Sequence, residues 1–214
     1  MAAAQSAPRQ IWVDAMKAED AAEMMDQERA RDTFKQRAAV AIAFFAMLLA
    51  ITGLGGQNAT KDALNSNVEA SNYWNFFQAK NMRQTAYALA ADEIEAAWLA
   101  TPGLTDEARN ALKEKAARYR ATVVRYESEP ETNEGKKELV ARAKETEARR
   151  DHALRQDPYF DYAEALLQIA IVLISVAIVA DQAWLSFFGG AIGILGGLLM
   201  INGFTLWVTV PFLG

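Results

Sequence analysis

The chain has 214 residues, with 22 Lys and Arg against 27 Asp and Glu, and it contains no cysteine and one histidine. The mild net charge of -5 argues against a nucleic-acid partner. The missing cysteine excludes disulfides, thiolate metal sites and cysteine nucleophiles, and histidine-based zinc binding or Ser–His catalysis would depend on His152 alone. Apolar and charged residues occur in alternating blocks, which predicts that some segments lie in a membrane and others in water.

The N-terminal segment, residues 1–37, is predicted to form an amphipathic helix. Ile11, Ala15, Ala18, Ala22 and Met25 recur at alternating spacings of four and three. The interpretation is a solvated helix that leads into the membrane or packs on a copy of itself. A helix lying on the membrane surface is the alternative, and the many acidic residues on the other faces argue against it.

Residues 38–56 are predicted to form the first transmembrane helix. The run contains no charged residue and has about the length that crosses a bilayer core. A polar, acidic stretch of more than thirty residues precedes it, which favours a signal anchor over a cleaved signal peptide.

Residues 57–157 form a charged insert that is predicted to fold as a helical hairpin. A first helix from about Lys61 ends at Thr101-Pro102-Gly103, and Thr105 can cap a second helix. A break at residues 127–135 precedes a third helix, from about Lys136 to Arg155. The apolar residues of the second helix repeat in a coiled-coil pattern, and they are Leu112, Ala116, Tyr119, Val123 and Tyr126. Leu139, Ala143, Arg150 and Leu154 are predicted to share one side of the third helix.

Two further spans are predicted near the C-terminus. The second, residues 158–180, begins at Asp157-Pro158, where Asp suits an N-cap and Pro the first helical position. The third, residues 184–206, follows a short polar connection at Asp181, and residues 207–214 form an apolar tail anchored by Trp207. The predicted fold class is an all-α membrane protein, with three transmembrane helices and a long, coiled-coil-like helical hairpin between the first and second.

The charges beside the spans indicate an orientation. Arg29, Arg31, Lys35 and Arg37 precede the first span, and only Lys61 lies just after it. This asymmetry favours a cytoplasmic N-terminus with the hairpin on the outer side of the membrane. Arg149, Arg150 and Arg155 pull the other way, but charges in long inserted domains carry less weight in this rule.

Few residues within the predicted spans are candidates for a site. Gly189, Gly193 and Gly197 recur every four residues, which predicts close approach of another helix, within the chain or in a second copy. A pore-facing surface is the alternative interpretation of these glycines. Gln168 and Asn202 are predicted to form hydrogen bonds to neighbouring helices.

The stretch from Asn65 to Asn81 is rich in asparagine and aromatic residues. Packing against the returning helices is the favoured interpretation, with a carbohydrate or aromatic-ligand site as the alternative. Together with a later Leu-Leu-Gln-Ile-Ala-Ile run (residues 166–171), residues 70–80 resemble the bacterial membrane family named domain of unknown function 4337. The signature residues that carry the resemblance are Trp74, Phe77, Gln78, Ala79 and Lys80. The resemblance implies the same order of spans and insert, and it implies no activity, catalytic residue or cofactor.

The sequence therefore predicts a structural, scaffolding or accessory protein of a bacterial inner membrane. Its expected partners are the lipid bilayer and either copies of itself or another membrane protein, with no nucleic acid and no cofactor. An enzyme is not expected, because the usual pairs of nucleophile and base are missing. An oligomeric channel is the alternative, with a pore lined by the glycine face or by Ser175 and Asn202.

Overall fold

A computed structural model describes the backbone of residues 7–211 and the side chains of residues 20–211. The described chain contains four helices and no strand. These are α1 (Ala7–Ala100), α2 (Asp106–Glu127), α3 (Lys136–Ala180) and α4 (Ala183–Thr205). Segments of α1, α3 and α4 are long and apolar enough to cross a membrane, in agreement with the three predicted spans.

The turn signals of the insert are confirmed. Helix α1 ends one residue before Thr101, and Gly103 adopts a positive φ of 82°, which an L side chain disfavours. The Thr105 hydroxyl accepts a hydrogen bond from the backbone N–H of Ala108, at 3.2 Å, as an N-cap does. The second break ends with Gly135, immediately before α3.

Two predicted helix boundaries are wrong. From Ala7 onward, the N-terminal segment, the first span and the first leg of the insert form one continuous helix, α1, which no proline interrupts between Pro8 and Pro102. Helix α3 also does not restart at Pro158 but runs through it. Proline removes one backbone hydrogen bond, to the residue four positions earlier, and that residue is Leu154, which is 52% exposed.

The helices divide into two compact units, which we call the apolar unit and the hairpin unit. The apolar unit comprises the described parts of Met1–Gln57 and Gln156–Gly214, and the hairpin unit comprises Asn58–Arg155. The insert was predicted to span residues 57–157. Residues 1–6 and 212–214 and the side chains of residues 7–19 lie outside the described structure. Ile11, Ala15 and Ala18 of the predicted amphipathic pattern and the end of the predicted tail are among them.

The apolar unit has a small core of closely packed side chains. Phe45, Leu167, Ala170 and Ile174 are each at most 6% exposed and lie in one cluster with Ala38. Met25, expected on an apolar helix face, is 54% exposed, as is common for a single surface hydrophobe.

In the hairpin unit, a regular stripe on α1 faces α2 and the first half of α3. Its residues repeat at alternating spacings of four and three, and all are buried or half-buried. This inner stripe consists of Ala59, Ala63, Ser66, Ala70, Tyr73, Phe77, Lys80, Gln84, Tyr87, Ala91, Ile94 and Trp98.

The inner stripe meets the returning helices in antiparallel order. Gln84 bonds to Val123 on α2, and Trp74 bonds to Glu147 on α3. Of the four residues predicted to share one side of α3, Leu139 and Ala143 are buried, Arg150 is half-buried and Leu154 is 52% exposed. The spacing of four and three places Ala153, next to Leu154, in the buried position.

Candidate functional site

The aromatic signature of α1 packs on the returning helices. The Trp74 indole Nε1 donates a hydrogen bond of 2.9 Å to Glu147 Oε1 on α3, and its ring meets Phe77 edge-on, with centroids 5.8 Å apart. An indole buries a large apolar area but needs a partner for its N–H. These contacts bear out the packing interpretation of this stretch.

Lys80, about two helical turns before Tyr87 on α1, is the most deeply buried charged residue of the hairpin unit. Its side chain is 5% exposed, and its ammonium nitrogen lies 3.3 Å from Glu129 Oε2 and 3.9 Å from Glu134 Oε2. The nitrogen also lies over the rings of Phe76 and Tyr126, at 5.5 and 5.3 Å from their centroids. A buried ammonium is tolerated only when its charge is compensated, and here carboxylates and aromatic faces compensate it.

Polar side chains join all three helical segments beside Lys80. Gln84 donates hydrogen bonds to the Val123 carbonyl, at 2.9 Å, and to Glu127, at 3.1 Å. Lys136, the first residue of α3, donates to Gln84 Oε1 at 2.8 Å and to Glu127 at 3.3 Å. The hydrogen bond from Gln84, followed by that from Lys136, lowers the pKa of the Glu127 carboxyl. We call Lys80, Gln84, Glu127, Glu129 and Lys136 the clasp.

Glu138 closes the break between α2 and α3. Its carboxylate accepts a hydrogen bond of 2.6 Å from the Ser128 hydroxyl and one of 3.2 Å from the Glu129 backbone N–H. The Ser128 hydrogen bond is the main reason that the pKa of Glu138 lies below its ordinary value. A side chain at Gly135 would collide with this arrangement, since its Cβ would lie 2.3 Å from the Glu129 nitrogen.

Of the five signature residues only Lys80 belongs to the clasp, and Trp74 and Phe77 form the aromatic contacts described above. Gln78 is exposed and Ala79 is half-buried. The sequence pattern identified the aromatic side of the cluster but missed Gln84, Glu127, Glu129 and Lys136. The sequence did contain a signal for Gln84. Like Lys80, it is a polar residue at a position that the helical spacing assigns to the buried side of α1.

The predicted glycine face of α4 packs inside the apolar unit. A Cβ at Gly189 would lie 2.9 Å from Ile174 Cγ1, and one at Gly193 would overlap the Phe45 ring. Gly197 is also buried and lies near Leu48. Two further glycines, Gly196 and Gly203, take part in this packing and were missed, because they lie off the four-residue repeat. The sequence left open whether these glycines pack within the chain or against a second copy, and the contacts observed are within the chain.

The two predicted amide residues lie in different environments. Gln168 is exposed, and its amide donates to Glu164 on the same helix, at 3.1 Å. Asn202 forms two hydrogen bonds with the backbone of Val208, donating to its carbonyl at 2.7 Å and accepting from its N–H at 2.9 Å. Asn202 therefore holds the chain that follows α4, and its partner is not a neighbouring helix.

Tyr159 completes the attachment of the C-terminal segment. Its hydroxyl donates to the Val208 carbonyl, at 3.2 Å, and accepts from the Val210 N–H, at 3.0 Å, while the residue is 3% exposed. Leu206 adopts the left-handed conformation, with φ 49°, and so turns the chain back at the end of α4. Trp207 is 81% exposed, as suits an interfacial anchor.

An ion pair lies at the connection between α3 and α4. The Arg31 guanidinium lies 2.5 Å from the Asp181 carboxylate, which follows α3. The hydrogen bond from Arg31 lowers the pKa of Asp181. Since both side chains are well exposed, at 58% and 37%, the pair contributes little to stability.

The described residues contain no group of three or more His, Cys, Asp or Glu side chains placed to hold a metal ion. His152 is exposed. What the clasp does chemically is to join three helical segments through ion pairs and hydrogen bonds.

Comparison with known proteins gives a family match. A family model described as "Domain of unknown function (DUF4337)" matches residues 34–206, a range that includes the three apolar segments, the clasp and the glycine face. No curated protein and no solved structure matches the chain.

Proposed function

The chain belongs to the DUF4337 family, and from this premise we propose that it is a membrane-anchored scaffold or accessory protein that associates with copies of itself. The clasp is the observation that carries the proposal. Its charged and amide groups bind one another across three helical segments, so this chemistry is used to fix the shape of the hairpin unit. A hairpin whose own shape is fixed is suited to presenting a binding surface.

The contacts within the apolar unit give this proposal further support. Glycines of α4 let Phe45 and Ile174 approach the helix backbone. Small residues favour helix packing in a bilayer in this way, because lipid is as apolar as leucine and close van der Waals contact must drive association. The side chains that remain exposed on α4, such as Phe187 and Leu198, are apolar and suit contact with lipid or with another span. The role that we propose, as an anchor, is non-enzymatic.

Several finer features belong to the same proposal. We place the protein in a bacterial inner membrane, with the N-terminus in the cytoplasm and the hairpin in the periplasm. Lys and Arg residues concentrated before the first span support this orientation. The spacing of the inner stripe and of α2 supports a coiled-coil hairpin.

The channel has less support than the scaffold. The glycine face of α4 packs against Phe45, Ile174 and Leu167 within one chain, so it is not open to a pore. Ser175 donates to the Ile171 carbonyl of its own helix, and Asn202 bonds Val208. A pore would therefore have to form between copies of the chain, from other residues.

The mass of the solubilised particle tests the proposal. We expect the full chain, extracted into nanodiscs and weighed by native mass spectrometry, to give a multiple of 23.6 kDa or a complex with another membrane protein. A strictly monomeric particle that carries no partner would contradict it. Ion flux through proteoliposomes at any potential would favour the channel instead.

A further inference from the structure

One side of the hairpin unit is almost free of charge. From Ala63 to Ala91, α1 contains only three charged residues, and one of these, Lys80, is buried in the clasp. Residues 105–155, which form the returning helices and the break, contain 24 charged residues among 51. The returning helices and the break therefore supply most of the charged surface of the hairpin unit, whereas α1 presents a surface with few charges.

The uncharged side of α1 carries a second stripe with coiled-coil spacing. Its apolar members are Leu64, Val68, Met82 and Leu89, which are 62%, 60%, 73% and 57% exposed, and Asn75 and Gln78 lie between them. Ser71 and Thr85 occupy the two remaining positions, so that the spacing alternates between four and three from end to end. We call these eight residues the outer stripe, and at about 1.5 Å per residue it is roughly 38 Å long.

The outer stripe lies on the side of α1 opposite to the inner stripe. A helix turns by about 100° per residue, which separates the centres of the two stripes by roughly 160°. The inner stripe packs on α2 and α3, so the hairpin unit cannot cover the outer stripe. Lys61 and Asp92 occupy the next positions in the same spacing and mark its two ends.

We propose that the outer stripe is the surface through which two copies of this chain associate, as a parallel, in-register coiled coil of their α1 helices. The inference rests on the proposed function, because copies inserted in a membrane with one topology present their α1 helices in the same direction. Parallel pairing in register places each residue opposite its own copy, and a stripe without charge meets itself without repulsion.

The residue types of the outer stripe favour this partner. In heptad terms the a positions hold Val68, Asn75, Met82 and Leu89, and the d positions hold Leu64, Ser71, Gln78 and Thr85. Val68 at a with Leu64 at d is the combination that favours two strands, and the single asparagine at a, Asn75, fixes the register because its amide bonds the same amide of the other chain. A charged partner helix would find no opposite charge here, whereas a second copy supplies a matching amide at Asn75.

The flanking positions agree with close pairing. The e and g positions from residue 65 to 88 hold Asn65, Asn67, Asn72, Ala79, Asn81 and other uncharged residues. Glu69 and Arg83 both occupy b positions, away from the second copy. Confinement of both chains to one membrane raises their effective concentration, so this partly polar stripe needs only a modest intrinsic affinity.

The absence of cysteine makes a direct test simple. Gln78→Cys and Met82→Cys are introduced singly into the full chain in its membrane, with Lys144→Cys, on the exposed side of α3, as the matched control. With a mild oxidant, we expect disulfide-linked dimers from the two outer-stripe variants and none from the control. Equal cross-linking of all three would show random collision and would overturn the inference.

A charge introduced in the centre of the outer stripe gives an independent measurement. We expect Asn75→Lys to lower the association constant of the dimer by about ten-fold, which corresponds to roughly 1.4 kcal/mol and lowers the dimer fraction. Ala148→Lys, at an exposed position on α3, is the control and should leave the fraction unchanged. A folded circular dichroism spectrum for both variants separates loss of association from loss of structure.

The outcomes distinguish the inference from the proposed function. An oligomer that persists in Asn75→Lys and forms no outer-stripe disulfide would overturn the inference and leave the scaffold in place. A wild-type monomer without a partner would overturn both. Capture of a different protein by the outer stripe, with no disulfide between copies, would support the scaffold and overturn pairing with a second copy.

Discussion

The ring of Phe45 on α1 occupies the space in which a side chain at Gly193 on α4 would lie. This relationship makes the small size of residue 193 a requirement of packing within one chain. Gly190, one turn earlier on the same helix, has no such neighbour, since its Cβ would meet no atom within 4 Å. The two glycines therefore form a matched pair for mutation.

We expect Gly193→Leu to destabilise the apolar unit, because the added side chain must displace Phe45. Overpacking of a tight core costs about 1–3 kcal/mol. The measurement is the midpoint of thermal unfolding of the full chain in nanodiscs. Gly190→Leu should change the midpoint little, and equal effects of the two substitutions would show that α4 does not pack through Gly193.

Replacement of Lys80 by methionine should loosen the clasp. The substitution keeps much of the apolar packing but removes the nearer of the two cations beside Glu129 and leaves Arg125 at 3.9 Å. A hydrogen bond to a charged group contributes about 1.5–3 kcal/mol. We expect faster cleavage by a glutamate-specific protease within residues 128–135. Lys144→Met, at an exposed site, is the control. Unchanged cleavage in Lys80→Met would show that the clasp does not hold the break closed.

The stability of the hairpin unit should fall in acid, through Glu138 in particular. The folded-state pKa of Glu138 is depressed, so its contribution is complete above the unfolded value of about 4.3 and is lost as the pH falls through the lower folded value. The thermal midpoint measured from pH 7 to pH 3 should show this loss.

Glu138→Gln should make that pH dependence shallower, because the glutamine cannot lose a proton and bonds Ser128 more weakly. Some acid sensitivity should remain, since the pKa of Glu127 is depressed too. Glu131→Gln, at an exposed residue of the break, is the control for loss of a carboxyl group. Identical acid profiles for wild type and Glu138→Gln would rule out a role for Glu138.

Tyr159→Phe should release the segment after α4. The substitution removes the hydroxyl that binds both Val208 and Val210, and it leaves the aromatic ring in place. We expect faster hydrogen exchange at the Val210 amide, while the Asn202 bonds still protect Val208. Tyr162→Phe, at a residue that is 53% exposed, should have no effect there. Slow exchange at Val210 in both variants would contradict the attachment.

The sequence predicted those parts of the fold that depend on local pattern. Three apolar runs and the turn at Pro102-Gly103 follow from composition and from backbone preferences, which need no knowledge of distant contacts. The helix through Pro158 could not be predicted, because the outcome depends on whether the carbonyl of Leu154 reaches water. That depends on which residue of α3 faces α1, and this choice is made by tertiary packing.

Of the candidate site, only residues on α1 were predicted from the sequence. Aromatic and asparagine enrichment drew attention to Trp74 and Lys80, but their partners Glu147 and Glu129 lie on a charged return path where many carboxylates look alike. Only the register between α1 and the returning helices selects these two. Gln78 and Lys80 are two residues apart and lie on opposite sides of α1. Packing on the returning helices places Lys80 on the inner stripe and leaves Gln78 on the outer stripe.

The returning path of the hairpin unit consists of two helical pieces that meet a single α1 stripe end to end. A change in length of α1 within the insert would shift every later contact unless α2 or α3 changed by the same amount. Because the inner stripe repeats every seven residues, such changes should occur in relatives as whole heptads, inserted or deleted in pairs. The distance in sequence between Trp74 and Glu147 would then grow by fourteen residues for each added pair that lies between them.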